Sequence, residues 1–506
     1  MLELADLSIT LSQTGRPIVE QFSFTLDRGD KAVVIGEEGN GKSTLLKCIY
    51  DRAMTEGYCE VSGRVLLRGR AGYLPQMLDP ALVKRTVAQL FAGADIHGHL
   101  DLLTRLGLPV AFLGSGQTLG SLSGGEKVKL QLARLLLDDP DILLLDEPTN
   151  DLDVETLRWL EDFIRTTRLP LLYVSHDETL IENTANVILH MEQLIRKTRC
   201  RMTVTRCGYR EYLSRRRAGL DKQGQVAKKQ REEHDKQMAR WRQIHDRVEH
   251  EQNAVSRGDP GSGRLLKKKM KAVQAQGRRY ERETAAFTDF PEEEDAILVR
   301  FRPDLRVPAG KVILDYTLPL LSVGERALAR DIRLYAAGGT HVGITGRNGA
   351  GKSTLLALLW AELRERRDIT ACYMPQDYSQ ALDYTQTPVE HLAAHYTKDE
   401  VTRARTYLGS MRFTHEEMTG PIGRLSGGQR AKLLFLDMVL QDANVLLLDE
   451  PTRNFSPLSG PVIRRTLADF GGAILSVSHD RKYLEEVCDA VYELTESGLC
   501  LLTEFS

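Results

Sequence analysis

The chain has 506 residues, 42% hydrophobic and 27% charged, with a formal net charge of −2. That length calls for more than one domain, and the composition is that of an ordinary soluble globular protein. No run approaches the roughly 18 consecutive apolar residues of a membrane span. The opening MLELADLSIT lacks a basic stretch followed by an apolar core, so no secretory signal is expected. The seven cysteines (48, 59, 200, 207, 372, 488 and 500) form no Cys-x-x-Cys pair, which argues against a zinc site or a disulfide framework. A reducing, cytoplasmic setting follows.

In chain order, the first strong signal is the strand KAVVIG running into GEEGNGKST, Gly36–Thr44. YLPQ follows at Tyr73–Gln76, then LSGGE at Leu122–Glu126 ahead of the helical stretch KVKLQLARLLL. The apolar strand ILLLDE leads into PTN at 148–150, and a second apolar strand ends in VSHD at Val174–Asp177. From about Leu213 to Phe287 the chain is rich in Lys, Arg, Glu, Gln and Ala, which reads as helix. Met238, Trp241, Ile244 and Val248 share one predicted face; Leu266, Met270, Val273 and Tyr280 share another. Between them RGDPGSG, Arg257–Gly263, is expected to stop any helix, with an exposed tip near Asn253–Arg264. Two amphipathic helices would pair antiparallel as a stiff arm, a helix of about 40 residues spanning about 60 Å. The motifs then return: THVGITG and GRNGAGKST (Gly346–Thr354), YMPQ (Tyr373–Gln376), LSGGQ (Leu425–Gln429), VLLLDEPTR (Val445–Arg453) and VSHD (Val477–Asp480). Ser123 and Ser426, Glu147 and Glu450, and His176 and His479 are each 303 residues apart, so one domain plan occurs twice.

Charge is segregated as well. Residues 211–280 hold 19 Lys and Arg against 9 Asp and Glu, which leaves the rest of the chain at −12. A basic block between acidic ones points to a polyanionic partner for the middle segment. A solvated helical pair with no partner is the plainer account of the same charges.

Each recurring motif has a chemical reason. Gly-x-x-x-x-Gly-Lys-Ser after a strand lets backbone N–H groups and a helix N-terminus approach phosphate oxygens. The expected nucleotide contacts are Gly36, Gly39, Gly41, Lys42, Ser43 and Thr44, with Gly346, Gly349, Gly351, Lys352, Ser353 and Thr354 in the second copy. Lys42 and Lys352 neutralise β/γ-phosphate charge, and the Ser43 and Ser353 hydroxyls face Mg²⁺. Buried strands ending in paired acids place Asp146 and Asp449 for the metal, and Glu147 and Glu450 to polarise a water. His176 and His479, at the ends of neighbouring strands, are positioned for a γ-phosphate contact. Ser175 and His176 are adjacent on opposite faces of a strand, which argues against a hydrolase triad. Leu-Ser-Gly-Gly at a helix start offers a second anion-binding end, or simply a helix cap.

Five motifs in this order, twice over, resemble the ATP-binding cassette ATPases. The resemblance implies an α/β fold: two tandem P-loop nucleotide-binding domains (1–212 and 288–506) joined by an antiparallel α-helical hairpin linker (213–287). It implies two ATP–Mg²⁺ sites between facing domains. Site one pairs Lys42, Ser43, Gln76, Glu147 and His176 with Ser426, Gly427, Gly428 and Gln429. Site two pairs Lys352, Ser353, Gln376, Glu450 and His479 with Ser123, Gly124, Gly125 and Glu126. Gln76 and Gln376 join the metal sites. The fused pair further resembles the ABC-F subfamily, whose members act on translation by binding the ribosomal tRNA exit site, with the hairpin directed at the peptidyl-transferase centre. LLKKKMKAVQAQGRRYERE and DEPTRNFSPLSGP resemble members that protect bacterial ribosomes against lincosamides, streptogramin A and pleuromutilins. That likeness implies contact with large-subunit rRNA and peptidyl-site tRNA, no membrane partner, and a monomer whose cassettes close on each other. Lys267, Lys268, Lys269, Lys271, Arg278 and Arg279 are the expected RNA contacts. A housekeeping translation factor and, further off, a transporter ATPase subunit are the alternatives.

Three departures stand out. The first loop carries Glu37 and Glu38 where the second has Arg347 and Asn348, and acids beside a triphosphate disfavour it. NDLD at Asn150–Asp153 becomes RNFS at Arg453–Ser456, without the final aspartate, so the two sites are expected to differ. No aromatic residue upstream of either loop is evident for stacking on a base.

Overall fold

The computed structural model describes residues 2–194, 198–254, 260–284, 287–288, 290, 301–302, 305–393 and 395–502. Backbone contacts gather the chain into two units: Met1–Tyr209 with Glu294–Ser506, and Arg210–Glu293. In the first unit the repeat is visible as two six-stranded sheets of one topology. The first runs Ala71–Leu74, Ile142–Asp146, Leu171–Val174, Lys31–Ile35, Val187–Leu194 and Arg199–Thr205 in spatial order. The second runs Ala371–Met374, Val445–Asp449, Ala473–Val477, His341–Thr345, Ala490–Thr495 and Gly498–Leu501. Five strands of each are parallel and the last is antiparallel. Parallel strands are covered on both faces and so need unbroken apolar runs; every residue of Ile142–Asp146 and Val445–Asp449 is buried.

The phosphate-loop helices are held in place by antiparallel strands. Leu2–Leu11 pairs with Pro17–Leu26 and Cys59–Leu67, and Leu4, Leu7, Ile9, Phe22 and Phe24 pack with Leu45 and Leu46 of the first loop helix. In the second half Val312–Val323 pairs with Arg326–Ala337, and Leu321 and Ile332 pack with Leu355 and Leu356. The functional ends of the central strands are thus anchored by cores on each side.

The second unit is the charged segment. Helix Tyr209–Ala254 is followed by helix Pro260–Thr284. Val248, Met270 and Val273 are buried together against Trp241, whose indole N–H donates to the Val273 carbonyl at 2.7 Å. Trp241 also lies over Gly277, so the helices run antiparallel, as the two apolar faces imply. Two expectations need correction. Ile244 is 50% exposed, because the face through Trp241 and Val248 continues through the partly buried His245 instead. Pro260 does not stop a helix; it opens one, at the first turn where a missing N–H costs nothing. Of the expected tip, residues 255–259 lie outside the described ones.

The close crossing at Gly277 gives a test. A Cβ there would stand 2.8 Å from the Trp241 ring. Gly277→Val forces the helices apart at the Trp241 ring and should destabilise the helix pair by about 1–3 kcal/mol, read as faster amide exchange along Trp241–Val248 and Met270–Gly277. Unchanged exchange would mean that this crossing does not hold the hairpin.

Candidate active sites

Each phosphate loop enters its helix through a glycine at φ 97°: Gly41 before Lys42–Tyr50 and Gly351 before Lys352–Leu363. That backbone region suits glycine alone without strain, and a Cβ on Gly41 would also meet the Ile18 side chain at 2.4 Å. Lys42 Nζ donates to the carbonyls of Gly36 (2.8 Å) and Glu37 (3.1 Å). Lys352 Nζ donates to Gly346 (2.8 Å) and Arg347 (2.9 Å). Both ammonium groups are buried within their own loops.

The paired acids stand at the sheet ends beside the loops. Glu147 and Glu450 adopt left-handed φ of 48° and 54°, a strained conformation that turns the chain sharply after the buried strand. Ser43 Oγ donates to Asp146 Oδ1 at 2.8 Å, and the Tyr73 hydroxyl donates to Oδ2 at 3.1 Å. Asp449 instead keeps both oxygens buried without a well-formed hydrogen bond among the described residues. Burial pushes both aspartates above the ordinary carboxylate range.

The histidines then separate the two sites. His176 Nε2 lies 2.8 Å from Glu147 Oε1, and its Nδ1 lies 2.7 Å from the Phe455 carbonyl of the other half. Burial would raise Glu147, but the adjoining His176 outweighs it and holds the carboxyl below its usual value. His479 Nε2 is 4.0 Å from Glu450 Oε1. Without that close partner, burial and then the Asp449 charge push Glu450 up to about 8. Burial, then Lys352, push His479 down to about 3. Asp153, at the end of NDLD, is near enough to His479 to oppose that shift. Burial would raise Asp153, but hydrogen bonds led by that from Thr156 keep it low.

Site two opens as a cavity of about 460 Å³. Lys352, Ser353, Thr354, Gln376, Asp449, Glu450 and His479 line it, together with Thr149–Leu152 of the first half. Ser123, Gly124 and Gly125 do not line it; a Cβ on Gly124 would meet the Asp151 carbonyl, which accepts from Asn348 Nδ2 at 2.5 Å. The first signature helix, Gly124–Leu136 directly after Leu-Ser, therefore reaches the second phosphate loop through the NDLD loop. Gln76 is exposed beyond its strand. At site one the approach is direct: a Cβ on Gly39 would lie 3.7 Å from that of Ser426. Ser123 and Ser426 are both N-caps, and Glu126 and Gln429 fold back on them in capping boxes. The plain helix-cap account of these motifs is thus part of the answer, and it fixes the two helix ends rigidly.

Sequence reading missed two groups. Val323, Arg326 and Leu328, from the strand pair ahead of the second loop, line the cavity where an aromatic residue was sought. A charged seam also joins the halves. Arg464, 3% exposed, pairs with Glu178 at 2.8 Å and with Glu486 at 2.7 Å. Lys482 pairs with Glu178 (3.0 Å) and Glu182 (2.6 Å), and Arg481 with Glu161 (2.8 Å). Single exposed-looking charges scattered over 300 residues give no sequence signal of such a cluster.

Two phosphate loops, each opposite an acid-tipped strand and closed by residues from the other half, define a P-loop nucleoside triphosphatase with two composite sites. A family model described as ABC transporter matches residues 19–150 and 329–453. The chain belongs to the ATP-binding cassette family, in its ABC-F branch, and is an ATPase. It is 29% identical to the probable ATP-binding protein YheS of Escherichia coli K12, over 96% of this chain and 77% of that one. It is 26% identical to the ribosome protection protein VmlR of Bacillus subtilis, over 97% and 87%. Its fold is similar to that of the archaeal ribosome recycling factor aABCE1, solved with the stalk protein aP1, at TM-score 0.59 and 18% identity, covering 98% of this chain and 89% of that one. No described helix is long and apolar enough to cross a membrane.

The seam yields its own test. Arg464→Ala strips two carboxylates of a buried partner, and breaking a buried pair costs roughly 3–5 kcal/mol. The urea midpoint should fall, and Arg464→Lys should lie between variant and parent. A midpoint that stays put would show that the seam does not hold the halves together.

Proposed function

We propose that the chain is a cytoplasmic ribosome-binding ATPase that protects the large subunit against drugs acting at the peptidyl-transferase centre. The observation that carries this is the hairpin. Lys267, Lys268, Lys269, Lys271, Arg278 and Arg279 are all exposed, while Leu266, Met270 and Val273 on the same helix are buried. The result is a stiff rod with a cationic surface, suited to RNA phosphates, which position a protein without being read as sequence. Support comes from the likeness to a ribosome protection protein along nearly the whole chain. The hairpin would reach toward the peptidyl-transferase centre from the tRNA exit site, beside peptidyl-site tRNA, and displace lincosamide, streptogramin A or pleuromutilin drugs.

ATP hydrolysis would time release. In this reading Lys42 and Lys352 neutralise the triphosphate, and the loop amides cradle it. Glu147 and Glu450 orient and polarise the attacking water, while His176 and His479 contact the γ-phosphate. The buried oxygens of Asp449, beside Ser353 and Gln376, suit a hard cation, and Ser43, Gln76 and Asp146 are the matching set in site one. Mg²⁺ held by these residues would supply charge neutralisation to the triphosphate. The folding expectation of domains at 1–212, 213–287 and 288–506 assigns one nucleotide loop to each end and the RNA arm to the middle.

Glu147→Gln with Glu450→Gln should keep ATP binding, lose turnover by about 10²–10⁴-fold, and stay on ribosomes through sucrose-gradient sedimentation. Parental turnover in the double variant would remove both glutamates from this role. Expression in a susceptible bacterium, scored against a panel of ribosomal drugs, tests the rest. Raised tolerance to the three named classes is expected; unchanged susceptibility with stable ribosome binding would leave a translation factor with no drug role. Ribosome affinity should also fall steeply with salt, because each phosphate contact releases counterions.

A further inference from the structure

We propose that Glu38 of the first phosphate loop occupies the anion position of the opposing signature helix, so that site one is self-occupied and takes nucleotide more weakly than site two. The inference rests on reading Lys42 and the helix Gly427–Leu440 as the two walls of one ATP site. The Gly428 N–H, free within its own helix because it lies in the first turn, donates to the Glu38 carboxylate. A Cβ on Gly427 would meet both Glu38 carboxylate oxygens, at 2.9 and 3.0 Å, so the group lies flat on the helix end. A γ-phosphate docked there needs the same donor and the same positive end of the helix dipole.

Glu37 fastens the arrangement from beside it. Its carboxylate is buried, 3.2 Å from Lys432 Nζ, and accepts from Ser459 Oγ at 2.7 Å. Lys432 and Ser459 both come from the second half. The first loop thus places two negative charges across the seam, where a triphosphate would bring its own. The second loop does the reverse. Arg347 pairs with the exposed Glu155 at 3.4 Å, Asn348 binds the Asp151 carbonyl, and the 460 Å³ cavity lies beside them. ATP entering site one must therefore displace a charge-assisted hydrogen bond made by its own phosphate loop; the second loop, GRNGAGKST, carries no carboxylate, and Glu126 at the facing helix start caps its own helix through Ser123 at 2.7 Å. The order of filling is site two, then site one.

The full chain, titrated with the non-hydrolysable analogue adenylyl imidodiphosphate and Mg²⁺ in a calorimeter, tests this. The parent should fill one site tightly and a second only loosely; Lys352→Ala should remove the tight phase and Lys42→Ala the loose one. Glu38→Asn, which installs the residue of the second loop, and the isosteric Glu38→Gln should each tighten the loose phase by about tenfold or more, the size of one displaced hydrogen bond to a charged group. Two equal sites in the parent, or a loose phase that neither Glu38 variant moves, would overturn the proposal. Should Lys42→Ala leave both phases intact, the first loop is no nucleotide site; that outcome overturns the reading beneath the inference and is told apart by the Lys42 variant alone.

Discussion

A charge buried between two folded halves must meet its complement there, or the halves separate. Arg464, Lys482 and Arg481 on one side and Glu178, Glu182 and Glu161 on the other satisfy that condition along one edge of the seam. Lys432 and Glu37 satisfy it at the first phosphate loop. The desolvation of each group is a fixed cost, so the pairs specify the relative placement of the halves more than they add net stability. The geometry of the two phosphate-loop sites inherits its precision from this. Phe455 can face His176, and Asp151 can face Asn348, only while the seam holds the loops in register.

Sheet order makes that register possible. In both halves the strand bearing the acid pair lies between the strand before the glutamine and the strand ending in Ser-His-Asp. The loop strand lies next beyond. Loop, aspartate, glutamate and histidine therefore emerge at the same ends of adjacent parallel strands, where ligands of open α/β sheets collect. Short apolar strands suffice because the covering helices bury them completely.

This much was legible from sequence, because each motif is local: a glycine pattern, an apolar run ending in two acids, a serine three residues before a glutamate or glutamine. What lay hidden depends on distant pairing. Nothing near Arg464 marks it as buried, and nothing near Glu178 names its partner 286 residues on. Ile244 is the apolar residue nearest the right helical angle, yet over a 46-residue helix the packed face drifts to His245. Pro260 and its neighbouring glycines read as a break, but a proline has no cost at a first turn. A base platform is legible in sequence only as an aromatic residue; here Val323, Arg326 and Leu328 on two strands line the cavity instead.

The two departures in the motifs turn out to be one feature. In the first half Asp153 ends the NDLD loop, caps its helix through Thr156, and sends its field to His479 of site two. In the second half Ser456 stands in that place, and its hydroxyl joins Ser459 at 3.2 Å. Ser459 in turn donates to Glu37 of the first loop. The carboxylate absent from one loop thus reappears on the facing one, with two serines as the bridge. A carboxylate on both sides would set two negative charges together in a buried seam; one on neither side would leave Lys432 uncompensated. The chain keeps one, and moves it from the loop that crosses toward the nucleotide to the loop that cradles it. That relocation conserves the charge of the seam while making the two nucleotide sites chemically unequal.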